Sequence, residues 1–119
     1  MDVVVFRLGQ QQFGIPVAQV GQVFPVAEIA PLPGASVPVR GTVDVHGELI
    51  PVVDLGRRSA DAWTELHAEQ RFILVAGPTR RLILLADEVE GVRSVSDGAP
   101  AESALIYVDD VLAIEPQAH

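Results

Sequence analysis

Arg40-Gly41-Thr42-Val43-Asp44-Val45-His46-Gly47-Glu48-Leu49-Ile50-Pro51-Val52-Val53-Asp54-Leu55 holds two runs of strand character around a two-residue break. The branched Cβ of valine restricts χ1 and suits a pleated surface, so 39–45 and 48–55 read as strands. Between them stand His46 and Gly47, and glycine supplies the positive φ that a tight hairpin requires. The stretch is expected to be a β-hairpin whose tip carries Asp44, His46 and Glu48.

The rest of the chain repeats this pattern. Nineteen of the 119 residues are valine, against six aromatics, and ten glycines and nine prolines cut the chain into strand-length pieces. Several short strands between such breakers point to an all-β sandwich or barrel rather than to alternating β/α units. Residues 3–8 and 12–16 are expected to pair across Gly9-Gln10-Gln11. A second hairpin is expected from 72–76 and 82–86 across Gly77-Pro78-Thr79-Arg80. Val17, Val20, Val23 and Phe24 recur at i, i+3, i+6 and i+7, which predicts a short amphipathic helical turn ending at Pro25. Residues 30–38 hold three prolines and read as an extended loop. Residues 59–70, with the one Trp, read as a surface loop or short helix. A bent strand at 89–95, a small-residue acidic loop at 96–103 and one or two last strands within 105–114 complete the reading.

Composition excludes several functions. There is no cysteine, hence no disulfide framework, thiolate nucleophile or cysteine-held metal. All eight Lys-plus-Arg positions are arginine, and the formal charge is −8, so no basic patch is available for nucleic acid. The densest apolar run, Leu82-Ile83-Leu84-Leu85-Ala86, is far below the ~20 residues of a membrane span. With no signal-like N-terminus, a soluble, cytoplasmic protein is expected.

Candidate chemistry is sparse. If the hairpin strand ran straight through Asp44, His46 and Glu48, alternation would put the three on one side, where imidazole and carboxylates could hold a divalent metal, or a carboxylate could orient the histidine as a general base. The same residues are equally what a solvated hairpin tip looks like. Val53-Asp54-Leu55-Gly56 lacks the hydroxyl residue that follows the Asp of an aspartic protease. No G-x-S-x-G, G-x-G-x-x-G or phosphate-loop motif occurs. No catalytic residue, metal site or cofactor is therefore expected. The apolar residues Val20, Val23, Phe24, Leu32 and Val37 are the alternative: core, or the lining of a groove that takes a partner strand or helix.

Arg40-Gly41-Thr42-Val43-Asp44-Val45-His46-Gly47, followed by Leu49-Ile50-Pro51-Val52-Val53-Asp54-Leu55, resembles the signature of CheW-like domains, roughly G-V-x-N-L-R-G-x-I-x-P-V-x-D-L. In order along the chain, further stretches are similar to other parts of the family. Val5-Phe6-Arg7-Leu8-Gly9 with Phe13-Gly14-Ile15-Pro16-Val17 resembles its opening hairpin, and Leu32-Pro33 its proline loop. Leu84-Leu85-Ala86-Asp87-Glu88-Val89 resembles its V-D-x-V strand end, and Val111-Leu112-Ala113-Ile114-Glu115 its final strand. The resemblance implies one domain over residues 1–119, made of two intertwined, SH3-like, five-stranded β-barrels with a hydrophobic groove between them. It implies a non-catalytic adaptor, without cofactor, that couples chemoreceptor signalling tips to the regulatory domain of a CheA-type histidine kinase in chemotaxis or motility signalling. Such a protein would be recruited from the cytoplasm to membrane receptor arrays. The partner-binding residues it implies are Val20, Gln22, Arg40, Asp44, His46 and Gly47, with Gly41, Pro51 and Asp54 structural.

The chain departs from the family in places. His46 stands where Arg is usual, Asp44 where Asn is usual, and Gln22 where Glu is frequent. An Arg–Glu ion pair across the groove would thus be lost; a His–Gln pair could still hydrogen-bond, but more weakly, so receptor contact is expected to be altered or lost while the fold is kept. Ile83 occupies a common glycine position. For Arg40 the alternative to a partner contact is an ordinary surface ion pair worth ~0–1 kcal/mol. Family members are longer, and the deficit falls between Val95 and Leu105, so the second barrel is expected to be shortened. An open sheet edge there would offer a surface for self-association. A degenerate CheW-fold module that has lost receptor or kinase coupling is the alternative function.

Overall fold

The computed structural model describes residues 2–34, 39–55 and 65–94, together with the backbone of the short strand Ala104–Leu105. Nine strands lie among these residues: β1 (Asp2–Leu8), β2 (Gln11–Pro16), β3 (Val20–Pro25), β4 (Val39–Val45), β5 (Glu48–Val53), β6 (Arg71–Ala76), β7 (Arg81–Ala86), β8 (Glu88–Ser94) and β9 (Ala104–Leu105). They form a four-stranded sheet, β8-β1-β2-β9, and a five-stranded sheet, β3-β6-β7-β5-β4. The all-β class and the three expected hairpin and pairing units, β1–β2, β4–β5 and β6–β7, are present in antiparallel register.

The apolar run 82–86 is the centre of the molecule. Leu82, Leu84 and Ala86 of β7, with Ile73 and Val75 of β6 and Val53 of β5, pack against Val4, Phe6, Leu8, Phe13 and Ile15 of the other sheet. The alternate residues, Ile83 and Leu85 of β7, Phe72 of β6 and Ile50 and Val52 of β5, join Val43 in a second core inside the five-stranded sheet. A strand covered on both faces cannot alternate apolar with polar, which is why the run is continuous. Ile83, at the family's common glycine position, fills this second core and is fully buried.

The second sheet closes on itself. Beyond β3 the chain reaches Ala30, whose backbone exchanges two 2.8 Å hydrogen bonds with Thr42 of β4. Phe24, Val26 and Ile29 thereby line the same core as Val43 and Val45 of β4, and Phe24 meets Phe72 edge-on at 5.6 Å. Closure depends on Gly41, because a Cβ there would stand 2.3 Å from the Ala30 carbonyl oxygen and 2.7 Å from Ile29 Cγ2.

Two local expectations are corrected. The expected helical turn over 17–24 is only a 3-10 turn at Val17–Gln19; Val20 onward is strand β3. A bulge lies between Val20 and Gln22, so Val20 opposes Val75 and Val23 opposes Ile73, both on one face. One extra residue in the strand gives apolar positions three apart, which imitates helical spacing. Arg40 is likewise not in a surface ion pair. Its Nη1 lies 3.6 Å from Oδ2 of Asp54, with side chains 13% and 2% exposed, and the pair ties the start of β4 to the chain leaving β5.

Polar bonds link the two sheets at one corner. Asp87, between β7 and β8, accepts the Gly9 N–H at 2.7 Å through Oδ2 and the Gln70 Nε2 amide at 2.8 Å through Oδ1. Gln70 in turn accepts the His67 N–H through Oε1. The β1–β2 turn, the β7–β8 corner and the entry to β6 are thereby held together. The expected acidic loop at 96–103, the last strand beyond Leu105 and the shortened part of the barrel lie outside the described residues, as do Val37 and Trp63.

Gly41→Ala is expected to lower stability by about 1–3 kcal/mol, since the new methyl must displace the backbone of Ala30. Urea denaturation checks this, and an unchanged midpoint would mean the closure is looser than 2.3 Å implies. Arg40→Met alone removes a cation from the buried Asp54 carboxylate and is expected to cost about 3 kcal/mol. Asp54→Leu added to it is expected to recover most of the loss; the double-mutant cycle measures the pair itself.

Candidate functional site: the hairpin tip and the β3 edge

The tip of β4–β5 is built by a two-residue turn in which Val45 opposes Glu48. His46 has φ 52° and Gly47 has φ 90°, the two consecutive positive values of a type I′ turn. Glycine adopts this freely; histidine does so at a cost, which Asn or Asp would reduce. Asp44 helps to offset that cost, because its Oδ1 accepts the Gly47 N–H at 2.7 Å. Asp44 and Gly47 are therefore turn-forming residues, and the imidazole of His46 is displayed on an exposed, fixed tip.

This geometry separates the three polar residues that a straight strand would have aligned. Asp44 is engaged with the turn backbone, His46 sits in the left-handed region, and Glu48 accepts from Nη1 of Arg81 on β7 at 2.7 Å. Among the described residues no group of three histidine and carboxylate side chains converges. The Asp54 that superficially suggested a protease motif is the buried partner of Arg40.

The remaining predicted residues fall on other parts of the fold. Val20 packs against the core between the sheets, and Gln22 is exposed on β3, just beyond the bulge. No hydrogen bond joins Gln22 to His46. Both side chains are exposed. Arg40 pairs with Asp54 at the base of the hairpin, away from its tip. Among the apolar groove candidates, Phe24 is core, while Val23 and Leu32 are exposed and Val20 is half-buried.

Residues that the sequence reading passed over lie close by. Leu49, on β5 beside the tip, is the most exposed of the large apolar residues described, at 67%. It borders an open cleft of about 440 Å³ against the β6–β7 turn, with Pro51, Pro78 and Arg80 also in the lining. Strand alternation was a usable signal: Ile50 and Val52 face the core, so Leu49 must face outward.

Comparison with known proteins agrees with this architecture. The model of the CheW-like domain family matches residues 2–111. The chain is 27% identical over 96 residues to the chemotaxis protein CheW of Rhizobium meliloti, covering 81% of this chain and 62% of that one. It is 32% identical over 99 residues to the chemotaxis protein CheW of Treponema pallidum, covering 80% and 58%. To the protein PilI of Pseudomonas aeruginosa it is 31% identical over 88 residues, covering 74% and 49%. The crystal structure of the scaffolding protein TtCheW from Thermoanaerobacter tengcongensis superimposes with a TM-score of 0.69 at 25% identity, covering 81% of this chain and 66% of that one. The chain thus spans about half to three-fifths of the length of the curated relatives it matches. With the family model running through both sheets and their shared core, the chain belongs to the CheW-like domain family.

Proposed function

We propose that this chain is a non-catalytic adaptor, a single CheW-like domain of two intertwined β subdomains, that couples chemoreceptor signalling tips to the regulatory domain of a CheA-type histidine kinase. The observation that carries the reading is the family match over residues 2–111, which spans both sheets and includes the β4–β5 hairpin. The pathway would be chemotaxis or a related motility system, and the relatives CheW and PilI support that range. Its place would be the cytoplasm, at receptor arrays; no helix among the described residues is long and apolar enough to cross a membrane.

Within this reading the surface for partners is the β3 edge and the hairpin tip. Val20 and Gln22 would meet the partner from β3, and His46 and Gly47 from the turn that Asp44 holds in shape. Arg40 would contribute indirectly, by holding β4 to the end of β5 through Asp54. Scaffold action of this kind needs rigid display and no reactive group.

A second reading, a CheW-fold module with lost or altered receptor coupling, is favoured by one observation. Gln22 and His46 replace a frequent Glu and a usual Arg, and the two side chains are not bonded to each other. Titration of the full chain with a kinase regulatory domain and, separately, with a receptor signalling fragment decides between the readings. Coupling is expected to give micromolar or tighter affinity for the kinase domain. His46→Arg with Gln22→Glu is expected to change receptor affinity by about tenfold, the size of one charge-assisted contact. Absence of kinase binding overturns the adaptor reading; identical receptor affinities for both proteins refute a role for the two departures.

A further inference from the structure

We propose that the cleft between the first half of β5 and the β6–β7 turn is a docking site for an extended, acidic segment of a partner protein. Its origin lies in Pro51. β5 runs parallel to β7, yet the two pair only at Val52↔Ile83 and Val53↔Leu84. The next step of that ladder would need an N–H from residue 51, donated to the carbonyl of Arg81, and proline has none. The ladder therefore stops, and the 48–51 half of β5 runs on without pairing to β7.

Two backbone groups border the resulting cleft without strand partners. One is the Arg81 carbonyl, which lacks the donor at Pro51. The other is the Leu49 N–H. In the two-residue hairpin Val45 and Glu48 form the hydrogen-bonded pair, so Asp44 and Leu49 form the next, non-bonded one. The N–H of Leu49 consequently points away from β4, toward the β6–β7 turn, and no backbone carbonyl of that turn accepts it. An extended segment offers alternating donors and acceptors of the kind both groups lack, as in strand addition.

The side chains specify the occupant further. Leu49 and Pro51 share the outward face of β5, opposite the core-facing Ile50 and Val52, and supply an apolar floor. Arg80 stands at the cleft with an exposed guanidinium. Arg7, Arg40, Arg71 and Arg81 are engaged with carboxylates or carbonyls, whereas Arg80 has no side-chain partner among the described residues. Glu48 also borders the cleft, but its carboxylate is taken by Arg81, so the cation left to an occupant beside the apolar floor is Arg80, which selects a carboxylate next to an apolar side chain. The inference is independent of kinase coupling, and either can fail alone.

The test uses the full chain and a capped octapeptide alternating valine and glutamate, with a valine–lysine peptide as comparison, followed by ¹H–¹⁵N spectra up to millimolar peptide. Shifts centred on Leu49 and residues 77–81 are expected with the glutamate peptide. Arg80→Ala, whose side chain holds nothing in the fold, is expected to weaken binding about tenfold while leaving the spectrum dispersed. No shifts at millimolar peptide, equal shifts with the lysine peptide, or insensitivity to Arg80→Ala each overturn the proposal. Shifts of the same residues on raising the protein concentration alone assign the cleft to a second copy instead and also overturn it.

Discussion

The burial of β7 on both faces is the constraint on which the rest of the structure depends. Leu82, Leu84 and Ala86 belong to the core between the sheets, and Ile83 and Leu85 to the core inside the five-stranded sheet. Five consecutive residues with essentially no contact with water make β7 the wall shared by both modules. Each core alone would be small. Sharing a strand lets a chain of 119 residues bury both without disulfides, using β-branched and aliphatic side chains that pack well on pleated surfaces. Any substitution in this run perturbs two cores at once.

The polar features are arranged around that wall. Arg40 and Asp54 secure one end of the β4–β5 hairpin from behind, and Asp87 with Gln70 ties the corner where the chain passes between the sheets. Gly41 permits the approach of Ala30 that closes the small barrel. These contacts leave the opposite end of the hairpin stiff but free. A rigid turn with an exposed His46, an exposed Gln22 on β3 and an open cleft beside Leu49 suit a protein that acts by presenting surfaces. Of the departures from the family, His46, Asp44 and Gln22 fall on this displayed rim and Ile83 in the buried core, whereas the signature residues Gly41, Pro51 and Asp54 lie where closure, strand pairing and the buried ion pair require them. Exposed rim side chains can change without disturbing either core.

Much of this was legible in the residues. The two-residue break at His46-Gly47 specified the turn, the breakers marked most strand ends, and the run 82–86 stood out as apolar. The reading of 17–24 as helical failed for a definable reason. A bulge at Gly21 restores two valines to one face three residues apart, and periodicity alone cannot distinguish that from a helix. Asp44 and Glu48 looked like partners of His46 because alternation was assumed to continue through the turn. The positive φ values there end the alternation, and each carboxylate takes a different nearby donor.

The sequence by itself determined the strand class, the hairpin geometry and the family, because these rest on local backbone preference and on residues near one another in the chain. Only the tertiary structure decided that Arg40 sits on a buried carboxylate, that Gln22 and His46 are not hydrogen-bonded, and that Leu49 and Arg80 border one cleft. These facts depend on register and closure between strands distant in sequence. Register is set by how two cores fill simultaneously around β7, a condition that no single segment contains.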